Sequence, residues 1–171
     1  ISRSYFSMLG RLVPKEYQFS GRSRQPAKDM FNAVLNYMYG ILYSHVEGAI
    51  IKAGMDPYMG IMHRDEHNKP VLAYDLIEPY RVWADTVALR LCNKRLLRDE
   101  MFNIHQGTFW LERAGKKIVI ESFNDFMDTV IQRKHRRRNR FHHIESDIID
   151  LAQYIKNSHF TPLEHQEEDM I

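Results

Sequence analysis

The sequence predicts a mainly α-helical, bundle-like domain that carries one small β-hairpin. Three observations lead there. Apolar residues make up 44% of a 171-residue chain, enough to build a real core in a single domain. From Phe31 to Ala53 the residues Val34, Leu35, Met38, Ile41, Leu42, Val46, Ala49 and Ile50 recur at steps of three and four, the period of one helical face. By contrast "GTFWLERAGKKIVIES", residues 107–122, sets two short aromatic and β-branched runs on either side of "RAGK", which reads as a hairpin.

Taken in order, "ISRSYFSMLG" suggests a short opening helix, and the proline- and glycine-punctuated stretch 11–28 a loop. The long helix follows, with Pro26 near its start and Gly54 and Pro57 beyond its end. After a loop over 55–70, a second helix is expected from about Asp75 to Arg98, burying Leu76, Tyr80, Trp83, Val87 and Leu91, with Pro79 in its first turn. Beyond the hairpin, Ser122 and Asp125 mark a helix start, with Phe123, Phe126, Met127, Val130 and Ile131 as its apolar face. A last helix runs from about His143 to Lys156. Residues 1–160 thus form the domain, and 161–171, "TPLEHQEEDMI" with no face to bury, a mobile tail.

Composition excludes a disordered or collagen-like chain. The lone Cys92 cannot pair within the chain, which suits a reducing compartment and a buried, inert thiol. No run approaches eighteen apolar residues and the opening lacks a leader pattern, so the expectation is a soluble, cytoplasmic protein that does not engage a membrane. The net charge of +2 is the difference of 24 basic and 22 acidic residues. Any argument for nucleic acid must therefore rest on where the charges lie.

Two places concentrate them. "GIMHRDEHNKPVLAYDLIEPYR", residues 60–81, gathers His63, Asp65, Glu66, His67, Asp75, Glu78 and Arg81. From spacing alone Asp75 and Glu78 form an acidic capping box at a helix start, a sufficient explanation without any metal. His63 is equally well a solvated loop histidine. If these residues do bind a cation, imidazole with carboxylates suits Mn²⁺ or Mg²⁺ better than structural zinc, whose thiolates are missing. In "QRKHRRRNRFHH", residues 132–143, six of the eight positions from Arg133 to Arg140 are Lys or Arg, namely Arg133, Lys134, Arg136, Arg137, Arg138 and Arg140. Guanidinium forks match phosphates, so this run is a candidate DNA-backbone contact, although a solvated helix end has the same composition. Lys15, Arg22, Arg24 and Lys28 form a looser cluster that could extend the footprint.

The residues between 35 and 81, "LNYMYGILYSHVEGAIIKAGMDPYMGIMHRDEHNKPVLAYDLIEPYR", closely resemble the signature of the CRISPR-associated integrase family, the larger, catalytic subunit of the spacer-acquisition complex. In that family a long helix opening "LNY-x-Y-x-x-LY" leads to "G-[LM]-[DN]-P-x-x-G", then a histidine, then an aspartate followed three residues later by an acid and by an arginine. Similarity continues from Ile1 to about Phe160. The resemblance implies an α-helical domain of a metal-dependent DNA endonuclease and integrase, binding Mg²⁺ or Mn²⁺ through His63, Glu78 and a further glutamate. It also implies a catalytic role for Asp75 near the metal and a supporting role for Arg81 in orienting Glu78. The further glutamate opens a motif whose latter part matches Ser2, Arg3, Tyr5 and Phe6, which places it three residues ahead of Ile1. The family's N-terminal β-domain has no counterpart in this sequence.

Implied partners are double-stranded DNA, both the prespacer and the CRISPR repeat, a second copy in a homodimer, and a small ferredoxin-like subunit, all in a prokaryotic cytoplasm. The implied reaction joins the 3′-hydroxyl of a foreign fragment to the repeat by transesterification, with a neutral His63 as ligand. Two other classes remain open: a non-catalytic helical module that binds DNA or subunits, and a zinc hydrolase, which lacks a compact ligand motif.

Overall fold

The computed structural model describes residues 2–17, 19–59 and 69–158. Helix α1 spans Ser2–Gly10, α2 Met30–Lys52, α3 Val71–Leu76, α4 Arg81–Asn93, α5 Arg113–Asp128 and α6 Arg140–Asn157. Two antiparallel hairpins complete it: β1 Phe102–His105 with β2 Thr108–Leu111, and β3 Val130–Arg133 with β4 Arg136–Asn139.

Helix α2 is the axis of the domain. The Asp29 carboxylate accepts the backbone N–H of Asn32 at 2.7 Å, replacing one of the intrahelical partners that a first turn lacks. Phe31, Val34, Leu35, Met38, Leu42, Val46 and Ile50 are fully buried, against α3, α4, α5, α6 and β2. A helix enclosed on so many sides is stabilised chiefly by burial, at roughly 1.5–3 kcal/mol for each large aliphatic side chain. Cys92 lies in the same core, fully buried, and burial raises its thiol well above the ordinary range, as expected of an inert cysteine.

Several expectations are corrected. The single helix over 75–98 is instead α3, a 3-10 turn over Glu78–Tyr80, and α4. Pro79 has no N–H to continue the α ladder across the junction, and α4 stops at Asn93 because Arg95 takes a left-handed conformation, φ 51°. Asp75 therefore closes α3 rather than capping a helix, and no side chain caps the turn that starts with Glu78. The hairpin also lies further upstream. "TFWL" is a strand, but it pairs with "FNIH" across Gln106 and Gly107, at φ 51° and 72°, the positive pair that a two-residue turn demands.

"RAGKKIVIES" is helical, the start of α5, so Ser122 and Asp125 fall mid-helix. Val119, Phe123 and Met127, four apart, are fully buried while Ile120 faces outward. Glycine at 115 serves close packing, not a turn: a Cβ there would lie 2.7 Å from Leu111 Cδ2 and 3.1 Å from the Met101 carbonyl oxygen. Gly115→Ala should thus lose about 1–2 kcal/mol despite alanine's higher helix propensity. Gly40→Ala, where a Cβ meets nothing within 4 Å, should gain about 0.5–1 kcal/mol. Urea midpoints of the two variants check this, and a stabilised Gly115→Ala would contradict the packing argument.

The cationic run is not a helix end either. Arg133 closes β3, Lys134 and His135 turn with φ 49° and 58°, Arg136 to Asn139 form β4, and Arg140 starts α6. The tail beyond 160 lies outside the described residues. No helix among the described residues is long and apolar enough to cross a membrane.

Candidate functional site

The α3–α4 junction presents Glu78 outward, its side chain about half exposed, with its Oε1 3.0 Å from Arg81 Nη2. Asp75, one turn earlier, is buried. His63, Asp65, Glu66 and His67 lie outside the described residues. Among the described residues, no three His, Cys, Asp or Glu side chains stand together as a metal-binding group. Of the expected constellation, the structure brings together Glu78 and Arg81, with Asp75 beside them in the chain and turned into the protein. Glu78 offers carboxylate oxygen at this surface, a donor that fits a hard or borderline divalent cation.

Arg81 also faces the other way. Its Cζ sits 5.3 Å from the centroid of the Tyr39 ring, and Arg22 Cζ lies 5.2 Å from the same centroid. Two cations on one ring would repel without an anion near by. The anion is Asp85 of α4, buried, which accepts the Tyr39 hydroxyl at 2.5 Å on Oδ1 and the Tyr5 hydroxyl at 2.5 Å on Oδ2. Burial pushes the Asp85 carboxyl above the usual carboxylate range, opposed by the two hydroxyls and by Arg22 and Arg81. Arg22 is further held by Asn32 Oδ1 at 3.0 Å and by the Ser23 carbonyl, and burial lowers its pKa.

Arg22 and Arg81 border a cavity of about 620 Å³ between α1, the 19–24 segment and the start of α4, lined also by Arg11 and Arg24 with Phe6 and Phe19. Four guanidiniums and, among the described lining residues, no carboxylate give it a composition suited to an anion. The looser cationic cluster contributes Arg22 and Arg24 to it, but neither Lys15 nor Lys28. Sequence reasoning missed Arg11, Tyr5, Tyr39 and Asp85. The pair Tyr5–Phe6 stood in the matched opening motif, but nothing in the spacing of 5, 39 and 85 shows that they meet.

The cationic run is largely engaged within the protein. Arg133 and Lys134 both pair with Asp147, Lys134 at 3.1 Å, and Tyr80 donates to the same carboxylate at 3.0 Å. Burial works to raise Asp147, but these three donors outweigh it and hold its pKa below the usual carboxylate value. Arg136 forms a two-pronged pair with Asp150 at 2.7 and 3.1 Å, and Arg138 donates to Ser146 Oγ at 2.7 Å. Arg140 donates to the Phe126 carbonyl at 2.7 Å and lies 3.8 Å above the Phe126 ring. The Arg137 side chain is exposed and makes no hydrogen bond or ion pair with a described residue.

Comparison with known proteins bears on the family and the fold. Residues 1–125 match the family model described as CRISPR associated protein Cas1. A protein of Methanospirillum hungatei named CRISPR-associated endonuclease Cas1 4 is 37% identical over 134 residues, which cover 78% of this chain and 37% of that protein. Among solved structures, a casposase bound to integration product superposes with a TM-score of 0.85 at 27% identity, over 90% of this chain and 45% of that one. A Cas6-RT-Cas1–Cas2 complex contains a region matching with a TM-score of 0.77 at 27% identity, over 91% of this chain and 17% of that one. The chain thus spans less than half the length of the relatives it matches.

Proposed function

The chain belongs to the Cas1 family of CRISPR-associated proteins, and from that premise we propose that it supplies the helical, metal-binding part of a DNA endonuclease and integrase. The reaction proposed is insertion of a foreign DNA fragment into a CRISPR repeat by attack of its 3′-hydroxyl on a phosphodiester. One observation carries the reading: Glu78, the acid at the position of the family's ligand, is held by Arg81, and Arg81 also lines the four-arginine cavity. A carboxylate at the rim of a basic cavity can offer oxygen to a cation while the guanidiniums take the phosphate charge.

Glu78 and His63 would hold Mg²⁺ or Mn²⁺, with Asp75 near the metal in a supporting role. Held there, such a cation would supply Lewis-acid chemistry, neutralising charge on the phosphorus centre and stabilising the leaving oxygen. Arg81 orients Glu78, and Arg11, Arg22 and Arg24 bind backbone phosphates without reading sequence, which suits fragments of varied sequence. The exposed cations of the β3–β4 hairpin, Arg137 foremost, extend the contact to duplex DNA. A second copy of the protein and a small ferredoxin-like subunit complete the assembly in this reading, supported by the similarity to a region of a solved complex that includes Cas1 and Cas2.

A metal titration tests the reading. Mn²⁺ at a hundred times its Kd should add about 2.7 kcal/mol, a rise in Tm of about 5–10 °C for a chain of this size. His63→Ala should abolish that rise together with metal-dependent strand joining. An equal rise and equal joining in His63→Ala would remove His63 from the site, and DNA binding indifferent to metal would favour a non-catalytic module.

A further inference from the structure

We infer that Asp85 is a positioning residue: through Tyr39 it locks Arg22 and Arg81 in the orientation in which their guanidiniums meet a DNA phosphate in the cavity. The inference rests on reading that cavity as a phosphate site. It concerns a residue that lines neither the cavity nor the proposed metal site.

The geometry runs in one direction. Tyr39 stands on α2, the rigid axis of the domain, and its ring carries a guanidinium from the 19–24 segment and another from α4. A tyrosine ring on a helix retains rotation about two side-chain bonds. Here the hydroxyl is pinned by Asp85 Oδ1 at 2.5 Å, and Oδ2 of the same carboxylate is occupied by Tyr5 from α1. Asp85 thus joins α1, α2 and α4 at one point beneath the cavity, and three of the four lining arginines come from this frame, Arg11 following α1, Arg81 opening α4 and Arg22 resting on Tyr39.

The carboxylate also supplies the negative charge that lets two guanidiniums share one ring. It takes no part in binding the anion directly, because it does not line the cavity and carries charge of the same sign. What it contributes is preorganisation: the arginines meet the phosphate already ordered, and less side-chain freedom is lost on binding.

Electrostatics alone and positioning predict opposite signs for one variant. Asp85→Asn removes a negative charge close to the cavity while nearly preserving shape, so a purely electrostatic role would tighten DNA binding. Positioning predicts weaker binding. Anisotropy of a labelled duplex with a single-stranded 3′ end, followed across a salt series well below Tm, should show affinity about tenfold lower. It should also show a slope of log K against log salt shallower by about one to two, the signature of one or two lost phosphate contacts.

Tyr39→Phe keeps the ring and removes only the tie to Asp85, so it should move affinity and slope in the same direction by a smaller amount, even if Asp85→Asn folds poorly. In an Arg22→Gln, Arg81→Gln background, Asp85→Asn should add nothing further. Unchanged or tighter binding by Asp85→Asn and Tyr39→Phe, with the arginine variants weakened, would overturn the lock and leave the cavity reading standing. An unchanged slope in the arginine variants themselves would refute the cavity as a phosphate site, and the lock with it. A role in stability alone would lower Tm and leave the slope where it was.

Discussion

Glu78→Ala should lower Mn²⁺-dependent strand joining roughly a thousandfold while leaving the fold almost untouched. Both halves follow from where the residue sits. Glu78 opens a 3-10 turn, is about half exposed, and touches Arg81 at the surface. An exposed pair of this kind contributes at most about 1 kcal/mol, so Tm should fall by no more than about 2–4 °C. If Glu78 is the ligand proposed above, activity depends on it in a different way, because its loss would weaken the hold on the cation at the centre where charge develops. Glu78→Gln sharpens the test: the amide oxygen can still accept from Arg81, so the turn and the arginine stay in place, yet the charge that attracts a divalent ion is gone. Joining by Glu78→Gln should be lost almost as completely as by Glu78→Ala, with DNA binding retained in both. Joining at wild-type level in either variant would return Glu78 to a surface ion pair and move the search for ligands elsewhere.

The parts of the fold that can be read from sequence are those where one local signal and the tertiary context agree. Helix α2 is the clear case: apolar spacing from Phe31 to Ile50, Pro26 near its start and Gly54 beyond its end all specify the same element, and burial on nearly every side follows from its composition. Helix α5 is the opposite case. "KKIVIE" has strand composition, but Val119, Phe123 and Met127 fall on one helical face and bury completely, so packing overrides the β preference of three adjacent branched residues. The β3–β4 turn carried no signal, since Lys134 and His135 adopt the left-handed conformation that favours Asn or Gly.

The candidate site divides along the same line. Glu78 and Arg81 are legible because they are three residues apart and their relation is local. The basic cavity is not, because Arg11, Arg22 and Arg81 are scattered along the chain and only the packing of α1 and α4 around Tyr39 makes them neighbours. Charge density along a sequence points instead to the run 133–140, and there the structure adds acidic partners that no local pattern announces. Asp147 and Asp150, fourteen residues downstream of Arg133 and Arg136, face the hairpin from α6 and engage them.

That distinction yields the second large effect, which lies in stability and falls on one arginine of the run. Arg140→Ala should cost about 2–3 kcal/mol, a fall in Tm of about 5–10 °C. Its guanidinium donates to the Phe126 carbonyl at 2.7 Å and to the Thr129 carbonyl at 3.4 Å, tying α6 to the last turn of α5. It also lies 3.8 Å from the Phe126 ring centroid, a stacked arrangement worth about 1 kcal/mol in a partly desolvated setting. Burial lowers its pKa, the mark of a cation that is taken out of water to serve as a donor. Arg137, three residues away on the same run, is exposed and makes no such contact with a described residue, so Arg137→Ala should leave Tm unchanged and alter only the salt dependence of DNA binding, by a slope of about one. Arg140→Lys separates the two contributions at 140: it keeps the charge but loses the planar fork, so it should recover less than half of the lost stability. Equal thermal stability of Arg140→Ala and Arg137→Ala would mean that the run acts as a uniform solvated stripe, and the division between arginines that build the fold and arginines that face DNA would fail.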